Sequence, residues 1–102
     1  MTIKTKYGVF TDIDSIEPYG NGTYTLGYLP NYDNAGDYTG GDDNGNEIPY
    51  ALLGFDAPIP TDDNWRFWVE FGDSEGYAET YDAGISESDK ERIKQLYYEY
   101  TR

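Results

Sequence analysis

The stretch Trp65-Arg66-Phe67-Trp68-Val69-Glu70-Phe71-Gly72-Asp73-Ser74-Glu75-Gly76-Tyr77-Ala78-Glu79-Thr80-Tyr81-Asp82 decides the fold. Trp65, Phe67, Val69 and Phe71 alternate with Arg66, Trp68 and Glu70, the period of two that marks a strand with one apolar face. Gly72 and Gly76 then bracket a five-residue connection able to take positive φ, and Tyr77 to Asp82 resumes an extended pattern, so the whole reads as an antiparallel hairpin. Two registers compete. Phe71 opposite Tyr77 would put Glu79 on the apolar face; a shift by one residue would put Ala78 and Thr80 there and group Arg66, Trp68, Glu70, Tyr77, Glu79 and Tyr81 outside. The second is expected, because an unpaired buried carboxylate is expensive.

Working toward the N-terminus, Ile48 to Phe55 is a short apolar run entered through Pro49 and ended by Pro58, Pro60 and Asp62-Asp63-Asn64, which predicts another strand. Thr23 to Leu29 alternates Tyr24, Leu26 and Tyr28 with Thr23, Thr25 and Gly27 and predicts a third. Ile3 to Phe10 also alternates, with Ile3, Thr5, Tyr7 and Val9 on one face, and is expected as a single strand pairing with Thr23–Leu29. Asp12 to Gly22, with Pro18, Gly20, Asn21 and Gly22, reads as a turn-rich connection. Residues 30–47 carry Asp33, Asp37, Asp42, Asp43 and Glu47 among asparagines and glycines and predict a long acidic loop. Loops of that length in compact domains tend to be functional.

Toward the C-terminus, Ser86 or Ser88 opens a helix over about 87–101, with Ser88-Asp89-Lys90-Glu91 matching a capping box and Glu87, Asp89 and Glu91 at the positive end of the dipole. Ile93, Leu96, Tyr97 and Tyr100 form one apolar stripe suited to covering a sheet face. The expectation is one α+β domain over residues 1–102: a four- to five-stranded, mostly antiparallel sheet with one C-terminal helix packed on a face.

Between Lys6 and Lys90 the chain holds eighteen Asp and Glu and one basic residue, Arg66, and the net charge of the 102 residues is −13. A net charge of about 2–8 suffices to keep a small domain soluble, and the excess works against the compact state. Twelve tyrosines, four phenylalanines and two tryptophans argue against a disordered chain. No apolar run is long enough for a membrane span or suited to a secretory signal, so a cytoplasmic protein is expected, without membrane contact. Cysteine and histidine are both absent; this excludes disulfides and thiolate metal sites and removes the usual catalytic bases and nucleophiles.

Three functions compete for the carboxylates. Ordered acids can stand in for phosphates and occupy the Lys/Arg groove of a nucleic-acid-binding protein, since duplex DNA presents one negative charge per about 1.7 Å. Asp12 with Asp14 and Asp73 with Glu75 stand two residues apart, about 6.5–7 Å along a strand, while Asp42-Asp43 and Asp62-Asp63 add doublets. Twelve tyrosines exceed what so small a core buries, so Tyr32, Tyr38 and Tyr50 are expected at the surface, where ring and hydroxyl suit arginine. The candidate contact residues are Asp33, Asp37, Asp42, Asp43 and Glu47 with Tyr32 and Tyr38, seconded by Asp62, Asp63, Asp73 and Glu75. A calcium site in the acidic loop is the second reading, but Glu47 stands where an EF-hand loop started at Asp42 requires glycine. Paired-carboxylate catalysis is the third; acids in Gly/Asn/Asp segments are solvated and lack the apolar surroundings that raise a catalytic pKa. Direct nucleic-acid binding is disfavoured because phosphates would be repelled.

In size, acidity, aromatic content and lack of Cys and His the chain resembles the small phage- and plasmid-borne proteins that imitate DNA: inhibitors of restriction enzymes, of CRISPR effector complexes and of uracil-DNA glycosylase. The resemblance is compositional and spans the whole chain. It implies no enzymatic activity, no cofactor and a basic nucleic-acid-binding protein of the host as partner, met in the host cytoplasm by a monomer or small homo-oligomer. The alternative is a tyrosine-rich protein-binding module whose acidity is incidental.

Overall fold

The computed structural model describes residues 1–28, 50–61, 63–72 and 78–102. Five strands form one antiparallel sheet in chain order: β3 (Glu17–Gly20), β4 (Thr23–Tyr28), β5 (Tyr50–Asp56), β6 (Arg66–Gly72) and β7 (Ala78–Asp82). A separate two-stranded hairpin, β1 (Ile3–Thr5) with β2 (Gly8–Phe10), precedes it, and helix α1 (Glu87–Tyr100) closes the chain. The α+β architecture and the helix stripe agree with the sequence expectation. The predicted acidic loop lies outside the described residues.

β5 and β6 are the centre. Ala51, Leu53 and Phe55 alternate onto the same face as Phe67, Val69 and Phe71, with Leu53 opposite Val69 and Phe55 opposite Phe67. On this inner face Ile93 of α1 is fully buried, and Tyr97 packs edge-on to both Phe55 and Trp65. Ile3, Phe10, Ile13 and Ile16 from the N-terminal segment complete the core. Ser86 caps α1 by accepting from the Asp89 amide at 3.2 Å, which settles the choice between the two serines.

Three local expectations are corrected. Ile3–Phe10 is two strands: the Thr5 hydroxyl donates to the Gly8 carbonyl and accepts from the Tyr7 amide, closing a two-residue turn over Lys6 and Tyr7. Gly8 has φ 144°, which a side chain rarely adopts. The reversal makes Ile3 and Phe10 cross-strand partners on one buried face, where uninterrupted alternation separates them. This hairpin pairs with itself, and β4 pairs with β3 and β5 instead. The second correction is β3, a strand within the expected connection Asp12–Gly22; its bulge beside Tyr19 accommodates Pro18 and Gly20.

The third is the hairpin register. Gly72 pairs with Ala78 and Phe71 with Glu79, so Glu79 shares the face of Phe71 and Val69. The penalty that argued against this arrangement does not apply, because β7 is an edge strand and all five of its residues are exposed. Glu79 stays in water and accepts a hydrogen bond from the Tyr81 hydroxyl. Trp68 and Glu70, expected outside, are on the opposite face from the core yet are only 9% and 7% exposed.

Their burial follows from reciprocal aromatic–glycine pairs across β5 and β6. Trp68 lies over its partner Gly54, and Tyr50 lies over its partner Gly72, where an added Cβ would stand 2.7 Å from the phenol ring carbon that bears the hydroxyl. A Cβ at Gly54 would overlap atoms of the Trp68 six-membered ring. Gly54→Ala should therefore displace the indole and cost about 1–3 kcal/mol, the usual range for overpacking, read as a lower Tm and a lower denaturant midpoint. A change at exposed Gln95 should leave both almost unmoved.

Candidate functional site

The outer face of the sheet is built by the other half of each strand's alternation: Tyr50, Leu52, Gly54 and Asp56 of β5 against Gly72, Glu70, Trp68 and Arg66 of β6. Leu52 pairs with Glu70 at its middle. The Glu70 carboxylate is reached from two strands, with the Tyr50 hydroxyl donating to Oε2 at 2.8 Å and the Tyr19 hydroxyl, leaning in from β3, donating to the same oxygen at 2.8 Å. Tyr19 packs at 6.0 Å from the Trp68 ring, and Tyr28 of β4 meets Tyr50 edge-on at 5.8 Å. The Trp68 indole donates to Asp56 Oδ1 at 2.9 Å, and the Thr23 hydroxyl donates to that oxygen at 3.3 Å. A buried carboxylate thus sits inside a frame of four aromatic rings.

That frame sets the phenol acidities. Burial, followed by the hydrogen bond to Glu70, holds Tyr50 far above the ordinary tyrosine pKa; for Tyr19 the hydrogen bond to Glu70 is the larger cause and burial the second. On the inner face burial alone leads in raising Tyr24. These phenols are held neutral, as donors.

Between β3 and β4 lies a cleft of about 240 Å³ on this face, lined by Glu17, Tyr19, Leu26, Gly27, Tyr28 and Leu52 among others. A β-bulge between Thr25 and Gly27 opens it, and among the described residues nothing stands within 4 Å of where a Gly27 Cβ would be. Tyr19 and Tyr28 are 50% and 62% exposed. No Lys or Arg is among the residues that line the cleft.

Of the predicted contact residues only Asp63 lies among the described residues, exposed in the connection from β5 to β6. Asp33, Asp37, Asp42, Asp43, Glu47, Tyr32, Tyr38, Asp62, Asp73 and Glu75 lie outside them. Asp12 and Asp14 are both exposed but belong to no strand; Ile13 between them is 1% exposed and anchors that segment through paired hydrogen bonds with Met1. Tyr50, expected at the surface, is half-buried over Gly72. Among the described residues no group of three or more carboxylates is placed to hold a metal ion. No helix among them is long and apolar enough to cross a membrane.

Sequence reasoning missed the Glu70 frame. The signal was present in the pairing of Tyr50-x-Leu52-x-Gly54-x-Asp56 with Gly72-x-Glu70-x-Trp68-x-Arg66, which sets each glycine opposite a large ring. Comparison with protein-family models, curated proteins and solved structures finds no match to this chain.

Tyr19→Phe and Tyr50→Phe should each cost about 1 kcal/mol, the net worth of a hydrogen bond. The double variant should lose more than their sum, because the second removal takes the remaining phenol donor from a buried carboxylate; denaturant unfolding of the four proteins in the cycle measures the excess. Folding also keeps both phenols protonated above the ordinary tyrosine pKa of about 10, at which the unfolded chain ionises, so the unfolded state loses protons first and stability falls as pH rises past that value. A pH series of melts should show Tm declining from about pH 10 upward, with a shallower slope in the double Phe variant.

Proposed function

We propose that the protein is a DNA-mimicking inhibitor that occupies the basic nucleic-acid groove of a host defence protein, a CRISPR effector or restriction enzyme, and blocks nucleic-acid binding. The segregation of charge carries this reading. On α1, Lys90, Arg92 and Lys94 are each engaged by a helix carboxylate, Glu87, Asp89 and Glu91 respectively, at 3.3 Å or less, so the helix largely neutralises itself. Lys4 and Lys6 lie on the N-terminal hairpin and its turn. The strands and their connections hold exposed Asp12, Asp14, Glu17, Asp63, Glu79 and Asp82 with only Arg66 among them, which stands opposite Asp56.

A field of one sign over most of a small body steers a basic partner and raises its encounter rate. DNA would be displaced because the same cations cannot serve both. The runner-up, a tyrosine-rich protein-binding module, is favoured by the exposure of Tyr19 and Tyr28, and it differs in needing no charge.

The test takes purified CRISPR effector complexes and restriction enzymes, with the protein and DNA offered in competition. Affinity should fall about tenfold or more between about 50 and 200 mM salt, as for binding through phosphate-like charges, and the complex should exclude DNA. Replacing Asp42, Asp43 and Glu47 by Asn, Asn and Gln should weaken it. Binding indifferent to salt and to these replacements points to the module, and a ternary complex with DNA seated in its groove removes the mimicry reading.

A further inference from the structure

We propose that the cleft between β3 and β4 is a receptor for a single arginine side chain presented by the basic partner. The proposal borrows the basic partner from the preceding reading, but the site is argued from its own geometry. At about 240 Å³ the cleft is smaller than the roughly 300–1,000 Å³ of a drug-sized ligand site, and it suits one side chain. Its parts match those of arginine. Pro18, with Leu52 beneath, gives the methylene stem apolar lining, Glu17 offers an exposed carboxylate to the guanidinium, and Tyr19 and Tyr28 offer ring faces on which a planar cation stacks. The chain's own cations stay out of this cleft.

What distinguishes the site from a chance hollow is its bracing. Tyr19 is tied by its hydroxyl to Glu70 Oε2; Tyr28 is held edge-on by Tyr50, whose hydroxyl is tied to that same oxygen. Tyr19 is therefore fixed by the buried carboxylate before any ligand arrives, and Tyr28 rests against a ring that the same carboxylate fixes. Exposed tyrosines otherwise lose rotamer freedom on binding, and fixing them in advance removes much of that cost. The bulge beside Leu26 and the missing side chain at Gly27 keep the space open. Lysine fits less well: a compact, strongly hydrated ammonium gains little from a flat ring.

N-acetyl-arginine amide, with N-acetyl-lysine amide as control, is the probe, titrated into the isotopically labelled full chain by NMR. Saturable shifts are expected at the Gly27 and Tyr28 amides with the arginine probe and weaker ones with lysine. Tyr28→Leu and Glu17→Gln, both at exposed positions and each checked for a retained folded spectrum, should each weaken binding about two- to fivefold, the scale of an exposed cation–π contact or ion pair. Shifts that never saturate and spread over every acidic residue overturn the receptor, as does equal response to lysine or indifference to both substitutions. The two proposals fail separately. A cleft that binds the arginine probe while the target complex keeps its DNA leaves the receptor standing without mimicry. Exclusion of DNA by a protein whose cleft ignores the probe does the reverse.

Discussion

One oxygen of Glu70 organises the outer half of this molecule. A carboxylate only 7% exposed on a small sheet must be met by donors, and two phenols, from β5 beside it and from β3 further along the same side of the sheet, provide them. The Tyr50 ring covers backbone that the sequence leaves bare at Gly72, as the Trp68 ring does at Gly54. Without the glycines the aromatic rings could not lie close to the sheet, and without the rings Glu70 would be in water. Packing and polar pairing on this face are thus a single constraint, distributed over β3, β4, β5 and β6.

The inner face depends on different physics. Phe55 is its hub, with Tyr24, Trp65, Phe67 and Tyr97 all within 6.3 Å between ring centroids. Large rings remove much apolar area per residue from water, and this offsets the conformational entropy of a chain poor in aliphatic side chains. The same burial opposes the self-repulsion of a net charge of −13. Apart from Glu70 and half-buried Asp56, the described acids of the strands and their connections are kept at the rim: Asp12, Asp14, Glu17, Asp63, Glu79 and Asp82 are all exposed.

Legibility in the sequence tracked how local each determinant is. The helix was readable because its cap, dipole partners and stripe all lie within one short segment, and Ile93, Leu96 and Tyr97 pack where the stripe put them. β6 was readable from apolar alternation, and β5 from a short apolar run bounded by prolines. The hairpin at Ile3–Phe10 was not, because a two-residue turn preserves alternation on each side while reversing the chain. The register at Glu79 failed for a non-local reason: whether its face is dry depends on β7 being the edge of the sheet, which no window around Glu79 reveals. Glu70 is the converse case, a charged residue whose donors lie 51 and 20 positions away. The contact residues chosen from the acidic segments belong, apart from Asp63, to stretches outside the described residues, whereas the outer-face cleft lies between β4 and a strand, β3, that reads in the sequence as a turn-rich connection.

The two margins of the large sheet are closed by different chemistry. On β3, Pro18 has no amide hydrogen to offer and a bulge breaks the row of backbone groups. On β7, Glu79 and Asp82 put negative charge on every side of the open backbone. A further strand from another copy would meet a missing donor at one margin and electrostatic rejection at the other. Neither border of this tyrosine-rich sheet therefore offers the row of open backbone groups on which a fibril grows.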